Sequence, residues 1–256
     1  MRIVTWNVNS LNARRDFVRL FLDEVAPDVL CLQELKLEAS KVPVEVFEER
    51  GYHLAIHGQK SWNGVLIASK TPLTDVHRGL PEADEGQARS IAATTCEIRF
   101  VNLYCPQGQA VDSPKFPYKL AFFDALLRWL EAEADLEEPL VLLGDLNVAP
   151  RPEDVWSVEA LAGIPSYHPD EHARWAELLE LGLHDAVAPR VPPGTFTFWD
   201  YQGGAFHRNL GMRIDHVLVS GPVLPRITSA SVARDWRKKK QGLTASDHAP
   251  VIVDLA

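Results

Sequence analysis

The chain has 256 residues, 46% of them hydrophobic, and a formal net charge of −9. This is enough apolar material for one large core, and the charge argues against indiscriminate binding to a polyanion. No apolar run approaches the ~18 residues of a membrane span, and Met1 leads straight into Arg2-Ile-Val-Thr-Trp6 without a signal-peptide pattern, so a cytoplasmic protein without membrane contact is expected.

In chain order, residues 2–6 read as a strand, and the stripe Phe17, Val18, Phe21, Leu22 and Val25, ending at Pro27, predicts a helix. Strand-like runs follow at 29–33, 52–56, 64–69, 91–95 and 98–104. Leu120, Phe123, Leu127 and Leu130 predict a second helix, 140–143 a strand, and Trp175, Leu178 and Leu179 a third helix ahead of Gly182. Two strands, 214–220 and 251–255, close the chain, and 150–169 and 189–211 are the longest loop-like regions. Strands and helices do not alternate strictly, so a mixed sheet system covered by helices fits better than a doubly wound parallel sheet. No linker divides the chain, and residues 1–256 are expected to form one domain. Cys31, Cys96 and Cys105 sit in apolar stretches and read as buried thiols, while Trp129, Trp156 and Trp175 read as core. His168 and His172, flanking Pro169, read as a turn, and His216 points away from the face that Asp215 occupies.

The stretch Pro139-Leu-Val-Leu-Leu-Gly-Asp-Leu-Asn-Val-Ala-Pro150 runs an apolar strand into a carboxylate and a carboxamide two residues apart. On a continuing strand, Asp145 and Asn147 point to one side and Leu146 to the other. An Asx turn closing the strand is an equal reading of this segment alone. Other apolar runs end similarly: 2–6 in Asn7, 29–32 in Gln33-Glu34 and 100–103 in Tyr104, while Asp215 opens one run and Ser246-Asp-His-Ala-Pro250 precedes another. Sites in α/β proteins gather beyond strand ends, which places these groups to meet in one cleft.

Glu34, Asp145, Asp215 and Asp247 would repel one another in one site without a cation. Oxygen donors with the amides of Asn7 and Asn147 favour a hard ion, Mg²⁺ or Mn²⁺, over zinc. With Tyr104 and His248, the set suits metal-assisted phosphodiester hydrolysis, in which a carboxylate activates water and a histidine supports the developing charge. Neither a Gly-Lys-Ser/Thr phosphate loop nor a Gly-x-Ser-x-Gly nucleophile motif is present.

Trp6-Asn-Val-Asn9, Leu32-Gln-Glu34, Tyr104-Cys-Pro-Gln-Gly108, Gly144-Asp-Leu-Asn147, Gly211-Met-Arg-Ile-Asp215 and Ser246-Asp-His-Ala-Pro250 come in this order along nearly the whole chain. They resemble the motif series of the exonuclease III family of apurinic/apyrimidinic endonucleases, within the endonuclease/exonuclease/phosphatase superfamily. Gly58-Gln-Lys60 before Gly64-Val65 points to the DNA-repair branch. The resemblance implies a four-layer α/β sandwich, with two packed mixed β-sheets flanked by helices and the site at one end. It implies Glu34 as principal metal ligand with Asn7 beside it and Asp247 near the metal. Asp145 would orient or deprotonate the attacking water, Asn147 and Tyr104 would contact the phosphate, and His248 would hydrogen-bond the phosphate and pair with Asp215.

The segment Thr195-Phe-Thr-Phe-Trp-Asp-Tyr201, with Arg208-Asn209 and Gly211-Met-Arg213 nearby, suits a sugar lacking its base, because aromatic faces pack on deoxyribose. By the resemblance, Phe198, Trp199 and Met212 line the abasic pocket, with Asn209 beside it. Candidate phosphate contacts are Lys36, Lys60, Arg89, Gln107, Lys115 and Lys119, and the basic run Arg237-Lys-Lys-Lys240, after Arg234, is either a DNA contact or solvated surface. The expectation is a Mg²⁺- or Mn²⁺-dependent monomer acting on double-stranded DNA at abasic sites or 3′ ends. Its alternatives are a less specific nuclease, a lipid or small-molecule phosphodiesterase, and a DNA-binding module without catalysis.

Overall fold

Where an apolar run has no polar positions, both of its faces must be covered, and that requirement organises this protein. A computed structural model describes residues 1–83 and 86–256. One sheet contains β1 (Arg2–Asn7), β2 (Val29–Gln33), β3 (His53–His57), β4 (Val65–Ser69), β11 (Ile227–Val232) and β12 (Val251–Leu255), in the order β11-β12-β1-β2-β4-β3. The other contains β5 (Thr74–Arg78), β6 (Ser90–Thr95), β7 (Ile98–Tyr104), β8 (Leu140–Asp145), β9 (His184–Asp185) and β10 (Asp215–Val219), in the order β5-β6-β7-β8-β10-β9. Each sheet has one parallel pair, β1 with β2 and β7 with β8, flanked by antiparallel neighbours. The crossovers of those pairs carry α1 (Arg15–Val25) and, later, α3 (Lys115–Glu133). Short helices α2 (Glu45–Glu48), α4 (Val158–Leu161) and α6 (Ala205–Arg208) lie in connections, and α5 (Pro169–Glu180) packs beside α3.

Strand alternation distributes the apolar residues among three interfaces. Ile3, Cys31, Phe100, Val141, Leu143 and Val217 meet between the two sheets. Val4, Trp6, Leu30 and Leu32 face the other way, onto Phe17, Val18 and Phe21 of α1. On the far side, Val101, Leu142 and Leu218 face Phe122, Phe123 and Leu126 of α3 and Trp175 of α5. The result is helix, sheet, sheet, helix, with the two sheets mixed as expected.

A buried polar bridge joins the sheets just below the strand ends. Gln33 Nε2 donates to Thr5 Oγ1 at 2.9 Å and to Asn102 Oδ1 at 2.7 Å, and Asn102 Nδ2 donates to the carbonyls of Leu32 and Leu66. Groups this buried are costly unless paired, so the bridge favours one relative register of the sheets.

Several expectations are corrected. β5 and β11 were not anticipated, because they are sheet edges with few buried residues and lack an apolar signature. Cys96 is exposed in the turn between β6 and β7, since the chain reverses there before its apolar neighbours resume. Trp156 is 42% exposed, on a loop outside the three interfaces. His168 caps α5, its side chain accepting from the Asp170 N–H, with Pro169 as the first helical residue.

Candidate active site

The C-terminal ends of both parallel pairs open at the same end of the sandwich. In register, Asn7 lies beside Gln33 and Tyr104 beside Asp145, and Asp215 at the start of β10 faces Asp145. Glycine makes one of these ends possible. Gly144 has φ +137°, and a Cβ there would sit 2.0 Å from the Leu103 carbonyl oxygen, so a side chain would push β8 off β7.

Asp145 is nearly inaccessible and accepts from Asn7 Nδ2 at 2.9 Å through Oδ2. Its Oδ1 accepts from the Asn147 backbone N–H at 3.0 Å, and Asn147 has φ +53°. The strand therefore ends at Asp145, and Asn147 is placed by an Asx turn rather than by strand alternation, with its Nδ2 donating to the Cys105 carbonyl at 3.0 Å. The turn and the site are one structure.

His248 is buried between two carboxylates. Its Nδ1 donates to Asp215 Oδ2 at 2.8 Å, and its Nε2 lies 3.8 Å from Asp145 Oδ2. Backbone anchors hold it, with Trp6 Nε1 donating to the His248 carbonyl at 3.1 Å and Ser246 Oγ accepting from its N–H. Burial pulls its pKa down, but Asp215, Asp145 and Asp247 together push it up to about 10. Burial raises Asp145 to about 7, with Asp215 and Glu34 adding to it and His248 and Asn7 opposing. Tyr104 is held well above its ordinary value by burial and by the charges of Glu34 and Asp145, so its phenol stays protonated.

Glu34 sits just past β2 in a left-handed conformation, with φ +54°. Burial would raise its pKa, but Lys36 and the Asn7 amide hold it below the ordinary carboxylate value. Lys36 Nζ lies 2.9 Å from Glu34 Oε2 and donates to Asn9 Oδ1 at 2.6 Å. Ligand atoms of Glu34, Asp145 and His248 all lie within 4.8 Å of one another. Asp215 Oδ1, buried and without a hydrogen-bond partner among the described residues, adds uncompensated negative character. Clustered hard oxygens in excess of nearby cations fit a divalent ion.

Three expected ligands or contacts are placed differently. Asn7 points Nδ2 at Glu34 and Asp145 while its Oδ1 accepts from the Asn9 N–H, so it bridges carboxylates instead of offering an oxygen to a metal. Asp247 turns toward Asn9, whose Nδ2 contacts both of its oxygens at 3.0 Å, and lies outside the Glu34, Asp145 and His248 group. Trp199 is fully buried, packed against Phe196 and Phe206, with Nε1 donating to Asn209 Oδ1 at 3.2 Å. A Cβ at Gly211 would lie 2.5 Å from that nitrogen, so Gly211 makes room for the indole. Trp199 thus supports the wall from behind and presents no face to a sugar.

Phe198 and Met212 remain half-exposed, exchange backbone hydrogen bonds with each other and share a small apolar cluster with Val155 and Ile214. The Phe198 ring is 4.9 Å from the His248 ring. Arg89, Gln107 and Lys115 line a cleft of about 560 Å³ with Tyr104, Tyr118 and the exposed Trp62. Asn209 is exposed at the end of α6, with its side-chain oxygen engaged by Trp199 and Arg234.

Lys119 is no phosphate contact. It is fully buried, 2.5 Å from Glu171 and donating to the Asn147 carbonyl at 2.6 Å, and burial lowers its pKa despite Glu171. A second ion group supports the same loop. Arg213 pairs with Asp154 at 2.7 Å and Asp185 at 3.0 Å, and its Nη1 donates to His216 Nδ1 at 2.9 Å. His216 Nε2 then donates to the Val148 carbonyl at 2.7 Å. Asp154, Asp185 and Glu171 carry no motif and stand far apart in sequence, so only their partners reveal them. Asn9 is a further site residue, and its spacing two residues after Asn7 is the sequence signal that could have found it.

The endonuclease/exonuclease/phosphatase family model matches residues 4–248. Exodeoxyribonuclease III of Haemophilus influenzae is 32% identical over 265 residues, covering 98% of each chain. Among solved structures, the 3′-5′ exonuclease NExo from Neisseria meningitidis superposes with TM-score 0.94 at 41% identity over 100% of this chain and 99% of its own. NExo, described also as a 3′ phosphatase, has been solved as a variant bound to a product DNA hairpin. An AP endonuclease from Archaeoglobus fulgidus superposes with TM-score 0.93 at 36% identity over 100% and 99% of the two chains. The chain belongs to the endonuclease/exonuclease/phosphatase family, in its exonuclease III branch, and is a metal-dependent nuclease.

Proposed function

We propose that this protein is a Mg²⁺- or Mn²⁺-dependent DNA-repair phosphodiesterase that incises 5′ to abasic sites and also trims blocked 3′ ends. The observation that carries this reading is the half-exposed Phe198 ring, with Met212 as its bridge partner, set 4.9 Å from the His248 ring. An apolar surface beside a phosphate-handling histidine suits a deoxyribose without its base. The names of the Archaeoglobus and Neisseria relatives support the two arms of the activity.

Glu34, with Asp145, would hold the ion, which when bound stabilises charge on a phosphoryl oxygen. Asp145, pushed up to about 7, is suited to take a proton from the attacking water. His248, kept cationic by Asp215, presents Nε2–H toward the phosphate, and the protonated Tyr104 hydroxyl is a second donor. Asn147 stands at the same edge, positioned by Lys119 through its carbonyl. Arg89, Gln107 and Lys115 offer contacts to the strand beyond Tyr104. Lys36, paired with Glu34 at 2.9 Å, offers a cation for phosphate at the same edge. We extend the reading to a monomer working in the cytoplasm; no helix among the described residues is long and apolar enough to cross a membrane.

The test is a rate comparison in Mg²⁺ on abasic, 3′-blocked and blunt duplexes and on a small phosphodiester. The abasic and 3′-blocked duplexes are expected to be fastest. Equal rates on intact and abasic DNA, or preference for the small diester, would overturn the assignment.

A further inference from the structure

We propose that Arg14, Arg234, Arg237 and Lys239 form a phosphate-backbone contact face that carries the duplex flank next to the Phe198 pocket, outside the catalytic cluster. The inference rests on DNA being the substrate, and it resolves the basic run 234–240 into residues available to a polyanion and residues already neutralised.

Three chain segments build the face. Arg14 donates through Nη1 to the Asn9 carbonyl and through Nη2 to Tyr201 Oη, both at 2.7 Å, and the Tyr201 hydroxyl donates to the Ala245 carbonyl at 2.9 Å. Arg237 donates to the carbonyls of Asp247 at 3.1 Å and Trp199 at 3.0 Å, and Arg234 to that of Phe206 at 3.1 Å. Rings and guanidiniums interleave. Arg237 lies 4.8 Å from the Tyr201 ring and 5.2 Å from Phe206, and Arg234 lies 4.2 Å from Phe206 and 5.2 Å from Trp199. The Arg237 contact to Asp247 places the ladder one residue from His248.

The charge balance separates these cations from their neighbours. Lys238 is neutralised by Asp235 at 2.5 Å, and Lys240 faces Glu24 at 3.9 Å and the Trp236 ring at 4.4 Å. Among the described residues, no carboxylate oxygen lies within 4.0 Å of the charged nitrogens of Arg14, Arg234, Arg237 or Lys239. Asp247 acts on Arg237 through its charge, but its oxygens are held by Asn9 and Ser246. Carbonyls and ring faces orient the guanidiniums without cancelling their charge. In a chain of net charge −9, three fixed arginines and the exposed Lys239, none of them in an ion pair among the described residues, are matched by a regularly spaced polyanion. Stacking on rings holds the arginines in place, so little side-chain entropy is lost when phosphates arrive.

The experiment measures the dissociation constant for a duplex bearing an abasic analogue, in EDTA, between about 50 and about 200 mM salt. Each lost phosphate contact lowers the slope of log affinity against log salt by about 0.9, so R234Q/K239Q is expected to make it shallower by about 2. R14Q should remove about 1. In Mg²⁺, kcat on saturating DNA should stay within about twofold while KM rises, because the face touches no reacting atom. R128Q, which removes an exposed cation from α3, is expected to leave the slope unchanged. An unchanged slope in R234Q/K239Q, or an equal loss in R128Q, would overturn the inference alone. If the unaltered protein bound no DNA, both the inference and the proposed substrate would fall.

Discussion

Asp215 and His216 are neighbours on β10, point to opposite faces of the sheet and belong to two opposite kinds of buried ion group. On one face, Asp215 serves His248 in a group with Asp145 and Glu34, where carboxylates outnumber cations. On the other, His216 completes a group in which the carboxylates of Asp154 and Asp185 are matched by the guanidiniums of Arg213 and Arg151. The same side chain behaves oppositely in the two. His248 is pushed up to about 10 because carboxylates overcome its burial, whereas His216 is pushed down to about 4 by burial and by the Arg213 charge. Burial is common to both, so the sign of the neighbouring charge decides. The compensated group holds the loop after β8, and the uncompensated one is left able to bind a cation and move a proton.

The comparison breaks most severely at Arg213. R213M would leave Asp185 without its cation and Asp154 with Arg151 alone, and is expected to cost about 3–5 kcal/mol of stability, read as a fall in the urea midpoint. A loss below about 1 kcal/mol would show that the group is not structural.

His216 contributes one pH dependence, and Asp145, raised to about 7, contributes one of opposite sign over nearly the same range. The His216 pKa is about 4 folded and 6.5 as the ordinary value, so its contribution is fully present above about pH 6.5 and lost as pH falls toward 4. The size is about 3 kcal/mol. H216Q keeps an acceptor for Arg213 and a donor for Val148 but cannot titrate, so its stability should rise relative to that of the unaltered protein as pH falls from about 6.5 to about 4. A curve parallel to that of the unaltered protein would remove His216 as the cause.

On the catalytic face, D145N should lower turnover at least ~10²-fold while leaving the melting temperature unchanged or higher, because a poorly compensated buried carboxylate is removed. Turnover within tenfold of the original would exclude Asp145 as the base. The smallest effect is expected from F198A, which should reduce the preference for abasic over intact DNA by about tenfold with little change in melting temperature. A preference unaltered by that substitution would move the pocket elsewhere.

Much of the site was legible because strand ends write their function locally. Glu34, Tyr104, Asp145 and the Ser246-Asp-His248 segment each follow or precede an apolar run, and such runs announce themselves by length and by β-branched content. Edge strands β5 and β11 were not legible, since half-solvated edges have no apolar requirement. Nor was the burial of Trp199 or Lys119. An aromatic in a loop and a lysine on a helix look available in one dimension, and only packing shows that Gly211 admits the indole and Glu171 the ammonium.

Beyond the pair of packed sheets, which the family resemblance implied, the sequence by itself determined a mixed sheet system covered by helices, the strand ends at which the chemistry gathers and the residue types that perform it. All three depend on local periodicity and on polar groups adjoining apolar runs. Only the tertiary structure decided which charges are neutralised. It made Asn7 a bridge, turned Asp247 to Asn9, enclosed Lys119 and, among the described residues, left Arg14, Arg234, Arg237 and Lys239 without a carboxylate at ion-pair distance. Coulombic pairing and desolvation depend on distances between residues far apart in the chain, and those distances exist only once the two sheets have closed on each other.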